Sequence, residues 1–425
     1  MIWLGIAFAI LLVVGVPIAF ALGLAGIVGM VVGNFNLVTV PQRMFTSIDS
    51  FVLLAAPFYI LAGEIMNRGG LTDRLILLSK AMVGRFRGGT AYANIVASVF
   101  FAGISGTAIA DTAALGQIFI KGMPKEGYKK NFAAAVTIAS SMIGPIIPPS
   151  VIMVIFAAIA QTSVIKLFIA GIVPGLLMGV ACAVVVFFYG LRGDLPKTDF
   201  RVPRKELIPL ARDGVLVASL PVFIVVGTLS GAFTATEAGG IAVIYAIILG
   251  FLVFRHLTIK GLWQSLVLTG RTTATLFIVI SCVSIASYVL TLGGIGQITG
   301  RMVEVFEAQP ILFMCMVALA LLVVGAVIDP GVQVLLFVPI LMPIAREMGI
   351  DEMQFSMVIL LTGTLSLITP PVGVILFVAC RIGDIRVWSM FKAVTPFLLA
   401  EFAVVLLLIL FPVLSNGLPN LLYTR

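Results

Sequence analysis

Two polar interruptions in apolar sequence, each followed about forty residues later by a proline-rich break, are where this chain could do chemistry. The first pair is Ser105-Gly106-Thr107 through Asp111, then Ile143-Gly144-Pro145 through Pro148-Pro149. The second is Gly325 through Asp329-Pro330, then Ile368-Thr369-Pro370 through Gly373. Pro145, Pro148 and Pro149 remove backbone donors and disfavour helix before them, so a helix must break there. Such backbone is tolerated at membrane depth only where it is buried in protein or lines a wet cavity. The freed carbonyls, with the hydroxyls of Ser105, Thr107, Ser140 and Ser141, would form a hard-oxygen cage suited to Na+. In the second copy the comparable oxygens come from Asp329, Thr362, Thr364 and Thr369.

Asp111 and Asp329 are the acidic residues nearest membrane depth. An aspartate at the centre of a membrane helix costs roughly 2.5–3.5 kcal/mol, so each needs a partner or a role. No intramembrane Lys or Arg stands out as that partner, which points to a bound cation. The alternative is that each caps a half-helix N-terminus, and the two roles can coexist. Half-helix N-termini facing the midplane also favour an anionic group on a substrate. That substrate would meet Ser105, Gly106, Pro148, Pro149, Pro330 and Pro370. Paired interrupted segments in two halves are the sequence mark of a secondary transporter's binding site.

Composition sets the solvent around these sites. Of 425 residues, 61% are hydrophobic and only 10% charged, which excludes an ordinary soluble domain. Many apolar stretches reach the roughly 20 residues that span a bilayer. No basic region precedes the first, so it reads as a transmembrane helix and not a cleaved signal peptide. The net charge of +8 reflects basic loops between apolar stretches, at Arg85 and Arg87, Lys121–Lys130, Arg192–Lys205, Arg255–Lys260 and Arg381–Lys392. These loops are expected on the cytoplasmic side, and no nucleic-acid partner is implied. Four unpaired cysteines (Cys182, Cys282, Cys315, Cys380) read as buried small residues, and the lone His256 as a solvated loop residue. Glu237 after Thr234 reads as a helix N-terminal partner, while Glu64 and Glu401 are expected near helix ends. Trp3, Trp263 and Trp388 suit membrane interfaces.

The predicted fold is an all-α polytopic membrane protein with inverted repeats, two re-entrant helical hairpins and two broken helices, of an elevator-type ion transporter. The first repeat covers 1–190, with helices over 2–32, 51–67 and 72–86. It adds a cytoplasm-opening hairpin over 90–121, a broken helix over 131–161 and a helix over 165–190. A cytoplasmic linker covers 191–212. The second repeat, 213–425, has helices near 214–232, 237–254 and 265–293. Its hairpin, over 310–345, opens to the exterior, and a broken helix over 354–380 and a last helix over 393–414 follow. With the hairpins re-entrant, the basic loops gather on one side, leaving Arg68, Arg74, Arg301, Arg346 and Arg425 outside and the N-terminus outside with them. Gly127 to Pro148 and Gly349 to Pro370 are both 21 positions apart, which supports a repeat.

The stretch from Ser105 to Ala114, with Ile143 to Ser150, resembles the large membrane subunit of tripartite ATP-independent periplasmic (TRAP) transporters. Phe51–Gly63 and Phe233–Ala238 look like further motifs of that family, and the resemblance covers nearly the whole chain. It implies a Na+-driven importer of a small organic acid anion: a dicarboxylate, keto acid, sugar acid or sialic acid. It implies the elevator fold shared with divalent-anion/sodium symporters, in a bacterial inner membrane. The partners it implies are a small four-helix membrane subunit and a soluble periplasmic substrate-binding protein. By that resemblance, Ser105, Thr107 and Asp111 would join Ser141, Gly144 and Pro145 around one Na+. Gly325 and Asp329 would join Thr362 and Thr369 around another. Thr107 stands where the family usually has Ser, and Ala235 where it often has Pro. The chain lacks the extra helices of fused versions, so the small subunit is expected as a separate polypeptide.

The competing functions are a stand-alone Na+-coupled anion symporter of the same superfamily and a respiratory proton-pumping subunit. The latter needs intramembrane Lys, Glu and His relays, and the only His sits in a loop. No H-E-x-x-H, G-x-S-x-G or phosphate-loop motif is present, so a membrane enzyme is no better supported.

Overall fold

The apolar runs fold as helices, and where they stop is set by glycine and proline. The protein is described here by a computed structural model covering residues 2–197, 204–294, 306, 309–370 and 373–423. Arg301 and Arg425, expected outside, lie beyond these described residues. The first half contains α1 (Ile2–Val13), α2 (Ile18–Val32), α3 (Thr39–Ile48), α4 (Ala55–Arg68), α5 (Leu71–Val83), α6 (Gly89–Ser105), α7 (Ala108–Gly122), α8 (Lys130–Ser141), α9 (Val151–Ala160) and α10 (Val164–Leu191). The second contains α11 (Arg204–Leu229), α12 (Ala235–Ile248), α13 (Ile259–Leu292), α14 (Pro310–Gly325), α15 (Pro330–Glu347), α16 (Glu352–Ser366), α17 (Val374–Gly383), α18 (Val387–Leu410) and α19 (Val413–Leu422). Six described helices are long and apolar enough to cross a membrane.

The expected helix over 2–32 is in fact two. Gly15 has φ +88°, a left-handed conformation, and Pro17 begins the next helix. The chain reverses there, bringing Leu4 alongside Gly29. The expected crossing over 72–86 is also corrected. At the start of α5, Gly70 lies against the His256 ring, and Arg74 pairs with Asp213 and stacks 4.6 Å from the Phe254 ring centroid. At its far end, Lys80 pairs with Glu126 at 2.9 Å, and Gly88 donates to the Pro196 carbonyl. Both ends of α5 therefore lie among the loops rich in Lys and Arg, and the helix runs along that end of the molecule. The linker is pinned there too, by Arg87 donating to the Leu195 carbonyl. Its second part is helical, since α11 already begins at Arg204.

Two groups of helices build the body. In one, α13 packs against α2, α3 and α4, and α12 packs against α4 and α11. The α2–α13 seam is close because Gly23, Gly26 and Gly29 face Cys282, Ile285 and Val289. In the other, α6 and α7 form one helical hairpin and α14 and α15 another, each packed on a helix pair interrupted midway, α8/α9 and α16/α17. The contacts cross over: α7 packs on α17, and α15 packs on α9. The first hairpin opens toward the basic loops, where Gly88 meets Pro196. The second opens toward the opposite end, where Arg346 donates to the Ala160 carbonyl at 3.1 Å.

Two outcomes follow. In a chain cleared of its four cysteines, Arg68→Cys and His256→Cys will react with a membrane-impermeant maleimide from the same side, and Asn36→Cys from the other. A valine at Gly26 would force its side chain onto the Ala286 backbone, 2.9 Å from where the Cβ would lie. Gly26→Val will therefore destabilise the fold by about 1–3 kcal/mol, read as a lowered thermal unfolding midpoint in detergent.

Candidate functional site

The first hairpin turns in two residues. Gly106, φ +59°, ends α6, and Thr107 caps α7 by accepting from the Ala110 N–H at 3.4 Å. A side chain at Gly106 would collide with the Pro149 carbonyl, 2.7 Å from its Cβ position. The tip is thus seated against the break between α8 and α9. One turn inside α7, Asp111 is wholly buried. The Ser105 hydroxyl donates to Asp111 Oδ1, while Oδ2 has no hydrogen-bond partner among the described residues. That free oxygen points at Gly144, whose Cβ position lies 2.4 Å from Oδ2 and 3.2 Å from the Ser141 carbonyl. A carboxylate oxygen and a backbone carbonyl converge where Gly144 leaves room. The buried Thr112 hydroxyl, next along α7, is also without a partner.

Buried hydrogen bonds hold this arrangement. Asn94 donates to the Thr137 hydroxyl at 2.7 Å and Ser98 to the Ser140 hydroxyl at 2.8 Å, joining α6 to α8. The Ser141 hydroxyl donates to the Thr137 carbonyl at 2.8 Å, and the Ser141 carbonyl accepts from the Gly144 N–H at 3.1 Å, so each oxygen keeps lone-pair capacity. Past the break, Ser150 caps α9 by accepting from the Met153 N–H at 3.3 Å and donates to the Pro145 carbonyl.

The second hairpin shows the same construction at the offset that carries Gly127 onto Gly349 and Pro148 onto Pro370. By that offset Asp329 stands where Thr107 does, and both are N-caps. Asp329 Oδ1 accepts from the Gly331 N–H at 2.8 Å, and the residue is exposed. The counterpart of buried Asp111 is Gln333, itself buried, whose Nε2 donates to the Ser366 hydroxyl and the Ile328 carbonyl, each at 3.1 Å. Gln333 Oε1 and the buried Thr362 hydroxyl have no partner among the described residues. Gly325 makes room here, since its Cβ would lie 2.3 Å from both Gln333 Nε2 and Ser366 Oγ. Thr369 bonds the Leu365 carbonyl at 3.0 Å.

Between the tips lies a cavity of about 490 Å³. Gly106 and Thr107 bound it from the first tip, Asp329 and Pro330 from the second, and Thr272 and Thr275 of α13 from the side. Pro145 and Thr364 also reach it, whereas Ser105, Pro148, Pro149 and Pro370 do not line it. Asp329 is its one charged lining residue among those described. The sequence reading missed Gln333 and Ser366, although the Gly127–Gly349 spacing already pointed to both. It also missed Arg271, which lies inside α13 beside Thr272 and makes no ion pair with either aspartate among the described residues. Glu401, expected near a helix end, is wholly buried within α18, where Cys182 of α10 donates to it at 3.4 Å. Glu237 does form a capping box with Thr234.

No group of three or more His, Cys, Asp or Glu side chains occurs among the described residues. One carboxylate among neutral oxygens suits a monovalent hard cation better than zinc or calcium, which draw on several charged or soft ligands.

Comparison with known proteins places these features. The profile of the tripartite ATP-independent periplasmic transporter, DctM component, matches residues 5–414. The sialic acid TRAP transporter large permease protein SiaM of Vibrio cholerae is 35% identical over 99% of this chain and 97% of its own length. The C4-dicarboxylate TRAP transporter large permease protein DctM of Pseudomonas aeruginosa is 35% identical over 89% of this chain and 88% of its own. In fold, the chain resembles the YdaH transporter of Alcanivorax borkumensis, with a TM-score of 0.65 at 13% identity over 87% of this chain and 86% of that one. The chain is a multi-pass membrane permease and not an enzyme, and it belongs to the tripartite ATP-independent periplasmic transporter family as its DctM component.

Proposed function

We propose that this permease imports a small organic anion coupled to Na+. The observation that carries this reading is the cavity bounded by both hairpin tips, with partnerless buried oxygens directly behind each. The first Na+ would take Asp111 Oδ2 and the Ser141 carbonyl as ligands. The second would take Gln333 Oε1 and the Thr362 hydroxyl, a set that is wholly neutral. Sodium bound at either place would draw a tip onto its break and shape the cavity. A sialic acid or a C4-dicarboxylate, the cargo named for the two relatives, carries the carboxylate such a site would receive. In an anion cavity whose lining charge is Asp329, a bound cation also offsets the repulsion between that aspartate and the substrate.

The mechanism is an elevator acting on inverted repeats. The hairpins and broken helices, cross-packed between the halves, would move as one body against α2–α4 and α11–α13. If the basic end is cytoplasmic, both the N-terminus and the opening of the second hairpin lie outside. Each uncompensated Na+ entering at about −100 mV contributes roughly 2.3 kcal/mol. A small membrane subunit would widen the scaffold along exposed apolar positions of α11 such as Val215, Val222 and Val226. A periplasmic protein would deliver the substrate.

In proteoliposomes, radiolabelled succinate or N-acetylneuraminate will accumulate only with an inward Na+ gradient, the small subunit and the binding protein. Uptake by the chain alone would make it a stand-alone symporter, and uptake indifferent to Na+ would remove the coupling. With two sites, the initial rate will rise sigmoidally with Na+ concentration. Gln333→Leu will reduce the Hill coefficient from near two to near one, and an unchanged coefficient would put the second ion elsewhere.

A further inference from the structure

A second cavity, of about 460 Å³, adjoins the first and differs from it in charge. Its walls are Arg43 of α3, the hydroxyl residues Ser284, Ser287 and Thr291 with Tyr288 of α13, and Pro339 of α15. Ile280 and Leu335 line both cavities, so the two share a wall. Among the described residues, no acidic side chain lines this one. It sits toward the C-terminal half of α13, away from the basic loop at Arg255 and Lys260 that precedes that helix, and so toward the opposite end of the molecule.

Arg43 is held in place without being neutralised. Its guanidinium lies 4.2 Å from the Tyr288 ring centroid, and no carboxylate pairs with it among the described residues. The α3 backbone is fastened to α13 by the Ser281 hydroxyl donating to the Met44 carbonyl at 3.1 Å and the Ser284 hydroxyl donating to the Arg43 carbonyl at 3.3 Å. A guanidinium stacked on a half-buried ring is less strongly held than one forked onto a carboxylate. An arriving carboxylate can therefore engage it without first breaking a salt bridge.

We propose that this cavity is an outer anion vestibule in which Arg43 binds the carboxylate of the incoming substrate before the substrate reaches the space between the hairpin tips. The inference rests on the reading of the protein as an organic-anion permease, and adds a site that binds without sodium. Among the described residues the central cavity is lined by one charge, Asp329, which repels a free anion until a cation is present. The vestibule is lined, among the described residues, by one charge, Arg43, which attracts the anion in either case. The substrate would be captured on the stationary helices α3 and α13, then passed across the shared Ile280–Leu335 wall to the moving tips.

The test is anion binding to the purified full chain in sodium-free choline buffer at fixed ionic strength, followed as the thermal-unfolding shift with succinate and with N-acetylneuraminate. The wild type will show a saturable shift with at least one of them. Arg43→Gln will raise the half-saturating concentration about tenfold or more, the effect of losing one hydrogen bond to a charged group. Arg43→Lys will fall between. Ser287→Asp, which keeps Arg43 and places a carboxylate beside it, will weaken binding as Arg43→Gln does. A wild type that binds neither anion without sodium overturns the proposal, as does binding that Arg43→Gln and Ser287→Asp leave unchanged. Loss of Na+-driven uptake with sodium-free binding intact would refute the transport reading and leave the vestibule standing.

Discussion

A buried carboxylate with one oxygen left unbonded is the constraint around which this structure is arranged. Asp111 lies beyond the reach of solvent, and among the described residues only Ser105 donates to it. An ionised carboxylate in such a place is costly unless a positive charge or further donors meet it. The surroundings are built to leave the second oxygen open. Gly144 has no side chain to fill the space, and the Ser141 carbonyl beside it, which accepts from the Gly144 N–H, keeps a second lone pair. Buried polar contacts help fix this geometry, from the Asn94–Thr137 and Ser98–Ser140 pairs to the Ser150 cap. Each such bond contributes only about 1 kcal/mol net, but leaving one unmade in an apolar interior costs more. The tip and the break are therefore held to one register.

The second hairpin solves the same problem with a neutral group. Gln333 occupies the place of Asp111, and its amide nitrogen is satisfied while its oxygen is not. A charge has been removed from the interior and an oxygen kept. Asp329 moves to the tip, where it caps α15 and faces the cavity. The two halves thus place one acid behind a tip and one acid on a tip. The resulting field favours cations before anions, and it gives the positive charge of Arg43 in the adjoining cavity its significance.

The breaks were legible in the sequence because proline and glycine act locally, through missing donors and φ +59° at Gly106. The helix-capping role of Thr234 and Glu237 was legible for the same reason. What was hidden depended on tertiary context. The turn at Gly15–Pro17 lies in sequence apolar on both sides, so hydropathy joins α1 to α2. Helix α5 has the length of a short crossing, and only its contacts with Asp213, Phe254 and Glu126 show that it runs along the basic end. Arg68 and Arg74, expected on the opposite side, therefore lie at the basic end as well, Arg68 donating to Gln264 and Arg74 pairing with Asp213. Pairing Asp111 with Asp329 matched acid to acid, whereas the backbone matches Asp111 to Gln333. Side-chain type misled there, and the glycine–proline spacing did not.

The most direct measurement is equilibrium Na+ binding to the purified chain by ²³Na NMR relaxation or a sodium-dependent stability shift, comparing wild type with Asp111→Asn. The account predicts saturable binding in the wild type and loss of its tighter phase in Asp111→Asn, since the amide keeps the shape but not the charge. Sodium binding of wild-type affinity in Asp111→Asn would contradict it, and would reduce Asp111 to a structural residue of the hairpin.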